Sequence, residues 1–166
     1  MKSLFINRHA KSSWKNLDIK DFDRPLNKRG KINARFMAGK FAEEMDVDMI
    51  ISSPAKRALT TAKEFAKALD TGEIVENKSI YSAGIREMLN IINSIPPEVE
   101  KAMLFGHNPT FTDLAHHLDH NFHSHLVTCA RVRIDFDVDS WDMIGLDSGT
   151  VVSHHYPRMY PEMENL

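Results

Sequence analysis

The strongest constraint in this chain is an alternation. Short apolar runs stop abruptly at polar or cationic residues, and apolar residues at helical spacing follow each of them. Leu4-Phe5-Ile6 ends at Asn7, Arg8 and His9; Met49-Ile50-Ile51 ends at Ser52-Ser53-Pro54; Ala102–Phe105 ends at Gly106 and His107. Such runs suit short buried strands. The stripes between them predict helices. The first starts at Asn27, a capping residue, and carries Ile32, Phe36, Met37, Phe41 and Met45. Leu59, Ala62, Phe65 and Leu69 define a second helix, and Phe111, Leu114, Ala115 and Leu118 a fourth. The third carries Ile85, Met88, Leu89, Ile92 and Ile95, before the loop at Pro96-Pro97. Glu73–Glu76 and Thr150–Ser153 read as further short strands. Ala130, Val132, Ile134 and Phe136 alternate with Arg131, Arg133, Asp135 and Asp137. That is the period of a half-exposed strand, its arginines expected in solvent beside the aspartates.

Strands alternating with helices predict an α/β fold with helices on both faces of a sheet. Residues 1–166 are expected to form one domain. In such sheets ligands bind beyond the carboxyl ends of the strands. If the three buried strands are parallel neighbours, their polar ends converge. Arg8, His9 and His107 then share one region with Arg57, which starts a helix after Pro54.

Those residue types point to phosphate. Arginine offers forked donors that match phosphate oxygens, and helix N-termini attract anions. A neutral imidazole adds nucleophilic chemistry, provided one ring nitrogen is left free to attack. Phosphoryl transfer asks mainly for positioning and charge stabilisation, which arginines and a second histidine supply without a metal.

Composition narrows the alternatives. The net charge of −2 gives no basic field for nucleic acid and no polybasic anchor for a membrane surface. No apolar stretch is long enough to span a bilayer, and the N-terminal apolar run is too short for a secretory leader. Cys129 is the single cysteine, so no intrachain disulfide forms, and a cytoplasmic location is expected.

The blocks "RHAKSSW", "DFDRPLNKRG", "SSPAKRALTTA" and "GHNP", in that order, resemble the histidine phosphatase superfamily. Within it they are most similar to the SixA-like phosphohistidine phosphatases, from Leu4 to about Ala115. The resemblance implies a three-layer α/β/α sandwich with a mostly parallel central sheet, of the phosphoglycerate mutase-like kind. It implies His9 as the nucleophile that becomes phosphorylated, Arg8 and Arg57 as clamps on the phosphoryl oxygens, and His107 as the second pocket histidine. Arg24 is implied as a further phosphate or substrate contact, although Asp21 and Asp23 are alternative partners for it. Lys11 and Asn108 are carried as substrate contacts. Lys11, Ser12 and Ser13 either rim the pocket or begin a solvated loop. The family needs no metal and no cofactor.

Larger family members place a proton-donating carboxylate on a long insertion. Here the corresponding stretch, Lys78 to Glu100, is short, and Glu87 is either the acid or an exposed helix residue. A phosphoester benefits from a protonated leaving group, whereas a phosphoramidate carries its own proton on the departing imidazole. The expected substrate is therefore a phosphorylated protein bearing phosphohistidine. The alternatives are a phosphatase or mutase for a small phosphoester, and a phosphate-binding regulatory protein without turnover. His116, His117, His120, His123 and His125 form a further cluster. His116 and His120 have a spacing that can chelate zinc, but no matching ligand pair accompanies them, and a polar helix end is the preferred reading.

Overall fold

The computed structural model describes residues 1–166. Strand β1 (Lys2–Arg8) is followed by α1 (Lys28–Glu44), β2 (Met49–Ser52), α2 (Lys56–Ala68) and β3 (Val75–Glu76). Then come α3 (Ile85–Asn93), β4 (Lys101–Gly106), α4 (Thr110–Leu118), β5 (Arg131–Phe136) and β6 (Thr150–His155). The six strands form one sheet in the order β3-β2-β4-β1-β5-β6. Neighbours from β3 to β1 run parallel, while β5 and β6 add on antiparallel. The architecture is the expected α/β/α sandwich. No helix is long and apolar enough to cross a membrane.

Alternation along the central strands builds two cores. Leu4, Ile6, Ile51, Ala102 and Leu104 point to one face, under Met88 and Ile92 of α3 and Leu114 and Leu118 of α4. Phe5, Ile50, Met103 and Phe105 point to the other, under Ala34, Met37 and Phe41 of α1 and Phe65 of α2. Both faces of β1, β2 and β4 are covered, which is why these strands read as unbroken apolar runs. Asn27 caps α1 as expected, its side chain accepting from the Gly30 N–H at 2.7 Å.

One expectation about strand β5 needs correction. Arg131 does not face solvent: it is 5% exposed, with its guanidinium 4.7 Å from the Phe41 ring centroid. A pleated strand sends Arg131 and Arg133 to the same face, and α1 covers the Arg131 end of that face. Arg133 is half-buried rather than solvated, but pairs with Asp135 at 2.9 Å as expected. In the histidine tract, His116 and His120 do not converge on one point, in keeping with the preferred reading of a polar helix end. Helix α4 stops at Leu118, so His120 lies outside it; His116 meets the Ser124 carbonyl while His120 pairs with Asp147.

Gly30 marks the tightest approach between α1 and the loop after β1. A Cβ there would sit 2.0 Å from the Lys11 carbonyl oxygen, an atom that cannot yield because it accepts from the Asn27 N–H. Gly30→Ala is expected to cost about 3 kcal/mol, the upper end for overpacking, and to lower the melting temperature by about 6–12 °C. Thermal and urea unfolding of the variant measure this directly; an unchanged midpoint would contradict it.

Candidate active site

Strand register, more than anything else, assembles the site. In the parallel pair β1/β4, Arg8 lies opposite Gly106, and in β2/β4, Ser52 lies opposite Phe105. All three strands therefore end in one row. The row continues past the strands: the His9 N–H donates to the Gly106 carbonyl and the Ser53 N–H to the Phe105 carbonyl, each at 3.0 Å. The next residues out are His9 and His107, whose ring centroids lie 5.4 Å apart. Gly106 has no room for a side chain, since a Cβ would meet the Phe111 ring at 2.4 Å. The glycine thus lets α4 pack hard against the strand end that carries His107.

His9 is buried, and its ring is tied from one side. Nδ1 lies 2.7 Å from the Ala10 carbonyl oxygen, so the Nδ1–H donates there and Nε2 carries the lone pair. Its backbone is held as well: the Cys129 N–H donates to the His9 carbonyl, and the Ala10 N–H to the Thr61 hydroxyl. Burial, with His107 and two arginines as lesser contributors, pushes the His9 pKa down to about 3. Burial, then Arg57, pushes that of His107 down to about 4. Both rings are neutral near pH 7, so the His9 Nε2 lone pair is available. His107 Nε2 contacts the Ser53 hydroxyl at 2.8 Å, while its Nδ1 has no partner within the chain. His107 is itself buried, 9% exposed, with the Tyr81 ring against it and its carbonyl accepting from the Phe111 N–H of α4.

Three guanidinium groups belong to this region. Arg8 donates to the Leu126 carbonyl at 3.0 Å. Arg57, in the first turn of α2, donates to the Asp21 carbonyl at 2.7 Å and to its carboxylate at 3.0 Å. Arg24 bonds the same carboxylate at 3.0 Å and the Ser12 hydroxyl, with its guanidinium 3.8 Å from the Trp14 ring centroid. Nε of all three arginines is buried without a partner in the chain. Donors are therefore in surplus, which is the electrostatic signature of an anion site.

Asp21 is the residue that sequence reasoning assigned only as a partner for Arg24. It bridges Arg24 and Arg57, and the Tyr81 hydroxyl donates to it at 2.6 Å. The Tyr81 hydrogen bond, with those of Arg24 and Arg57, holds its carboxyl well below the usual carboxylate range. Its position in the "DFDRPL" block was the available signal; the loop geometry that swings it across to Arg57 was not legible.

The remaining candidates lie elsewhere or are committed to other bonds. Asn108 donates to the Leu126 carbonyl and accepts from both the N–H and the hydroxyl of Thr112, so both ends of its amide are engaged. Lys11 is exposed and lines a separate cavity with Arg29 and Arg158. Glu87 accepts from the Gly84 N–H at 3.0 Å, capping α3, and lines a different groove beside Asn90 and Ile91. Cys129 is buried, and burial pushes its thiol up to about 12, which leaves it unreactive.

An α/β/α sandwich that gathers two imidazoles and three guanidiniums at the carboxyl edge of its sheet is built to handle a phosphoryl-like anion. The histidine phosphatase superfamily (branch 1) model matches residues 4–89, and the chain belongs to that superfamily. A chloroplastic, uncharacterised protein of Arabidopsis thaliana is 29% identical over 153 residues, covering 85% of this chain and 69% of that protein. Phosphoserine phosphatase 1 of Hydrogenobacter thermophilus is 37% identical over 82 residues, 48% of this chain but only 38% of its own length. Among solved structures, the Agrobacterium tumefaciens protein assigned as phosphohistidine phosphatase SixA is similar at 26% identity and a TM-score of 0.79, covering 94% of this chain and 98% of that one.

The two histidines make stability acid-sensitive. Each binds its proton less readily in the fold than in the unfolded chain, so acid favours unfolding. Their contribution is expected to be fully present above about pH 6.5 and to fall as the pH drops from there through about 4 for His107 and about 3 for His9, the span between unfolded and folded values. Urea midpoints across that range measure the fall, and His107→Asn should make it shallower.

Proposed function

We propose that the chain is a phosphatase that works through a covalent phosphohistidine on His9, with phosphohistidine in proteins as its substrate. One observation carries the reading: His9 spends Nδ1 on its own backbone neighbour and keeps a neutral Nε2 beside Arg57, Arg8 and His107. Nε2 attacks phosphorus, and the bond from phosphorus to the substrate nitrogen breaks. The arginines hold the phosphoryl oxygens as charge redistributes, so the step calls for no metal. Water then attacks phosphorus and the phosphorus–Nε2 bond breaks; the water oxygen keeps one proton on the released phosphate, its other proton passes to solvent, and the electron pair of the broken bond returns to Nε2.

The state of the carboxyls supports the phosphoramidate. Asp21 is kept ionised by Tyr81, Arg24 and Arg57, and Glu87 is spent on the cap of α3. Neither stands ready with a proton for an alkoxide. A departing imidazole protonated on its other nitrogen leaves neutral and needs none. The similarity to a protein described as Phosphoserine phosphatase 1 favours a second reading, a small phosphomonoester as substrate.

A rapid quench with a labelled phosphodonor should trap label that survives base and is lost in acid. His9→Ala should abolish it. Arg57→Ala should reduce turnover by about 10²–10³, the usual loss for one oxyanion donor. Phosphohistidine should be turned over faster than phosphoserine; the reverse order would select the second reading, and no label on His9 would defeat both. Asp21 competes for the arginines that phosphate needs. Asp21→Asn is therefore expected to tighten inorganic phosphate binding about tenfold, which corresponds to a charge-assisted contact of about 1.4 kcal/mol, measured by calorimetry.

A further inference from the structure

A second cationic cavity lies behind the loop that carries the nucleophile. It measures about 340 Å³ and is lined by Lys11, Arg29 and Arg158, from three separate stretches of chain. No carboxylate lines it; Glu162 and Glu164 flank Met163 in sequence, but only the methionine reaches the wall. None of the three cations has an ion-pair partner in the fold. Asn33, itself 7% exposed, also lines the cavity. Arg29 borders an adjoining groove as well, which adds three lysines and no acid.

The walls are held in place by the chain around them. The Lys11 carbonyl accepts from Asn27 and abuts Gly30, which fixes the Lys11 backbone against the start of α1, where Arg29 lies. Val127 and Thr128 form another wall. Their neighbours anchor them: Leu126 accepts from Arg8 and Asn108, and Cys129 donates to His9. Pro157, next to Arg158, is buried. A hollow with three exposed cationic arms on a fixed backbone, and an apolar side, favours a compact, multiply charged ligand.

We propose that this cavity is a second anion site, separate from the His9 cluster, for a small molecule bearing phosphate or pyrophosphate. Guanidiniums on Arg29 and Arg158 offer forked donors to its oxygens, Lys11 a point charge, and Val127 with Pro157 an apolar wall for the rest of the ligand.

The test titrates inorganic pyrophosphate into the full chain by calorimetry at low salt. Arg57→Ala is used as the background, so that binding at the His9 cluster is weakened first. One equivalent is expected to bind that background. Adding Arg29→Ala and Arg158→Ala together should weaken it at least tenfold, while in the otherwise unchanged chain the same pair should leave the melting temperature and basal turnover unaltered. No binding to the Arg57→Ala background, or equal binding with and without the paired substitutions, overturns the site. Neither result depends on whether His9 is ever phosphorylated, so failure of the proposed function and failure of this site are read separately.

Discussion

Everything at the site depends on the parallel register of β1 against β4. Arg8 opposite Gly106 places His9 and His107 one step beyond the last pair, at the same height above the sheet. A slip by one residue would turn His9 to the opposite face and bring Leu4 and Ile6 under the wrong helices. The register is protected by burial on both faces, since Leu4, Ile6 and Phe5 are essentially inaccessible to solvent. Core packing and the meeting of the two imidazoles are thus one constraint.

That arrangement creates an electrostatic problem and a local answer. Arg8, Arg24 and Arg57 crowd one edge of the sheet together with two buried imidazoles. Desolvation keeps the imidazoles neutral, which removes two charges from the crowd. Asp21 supplies the countercharge for two of the arginines, and Tyr81 orients it. A carboxylate seated between two guanidiniums resembles the anion such a site is made to hold. The same contacts keep Asp21 ionised, so its countercharge is a fixed part of the cluster.

Much of this was legible. Apolar runs that end in cations identified the three buried strands, and Asn27 announced the start of α1. His9, Arg57 and His107 were named from strand ends, and they do lie together. Other features were hidden for physical reasons. Arg131 alternates with apolar residues like an exposed strand position, yet α1 covers it, and no local period reports what a distant helix will cover. Lys11 sits two residues from His9 but lines another cavity, because the loop turns between them. Asn108 has the chemistry of a substrate contact but is consumed by α4 and the Leu126 carbonyl.

By itself the sequence determined the periods: which segments are strands or helices, and which strands are buried on both faces. It also determined the chemical inventory at the strand ends, since imidazole and guanidinium are properties of residues. Tertiary structure alone decided the strand order, the His9 tautomer through the Ala10 carbonyl, and the bridging of Arg24 and Arg57 by Asp21. The reason is range. Periodicity reports contacts a few residues apart, whereas Asp21 meets Arg57 across 36 positions, and only the packed sheet brings those stretches together.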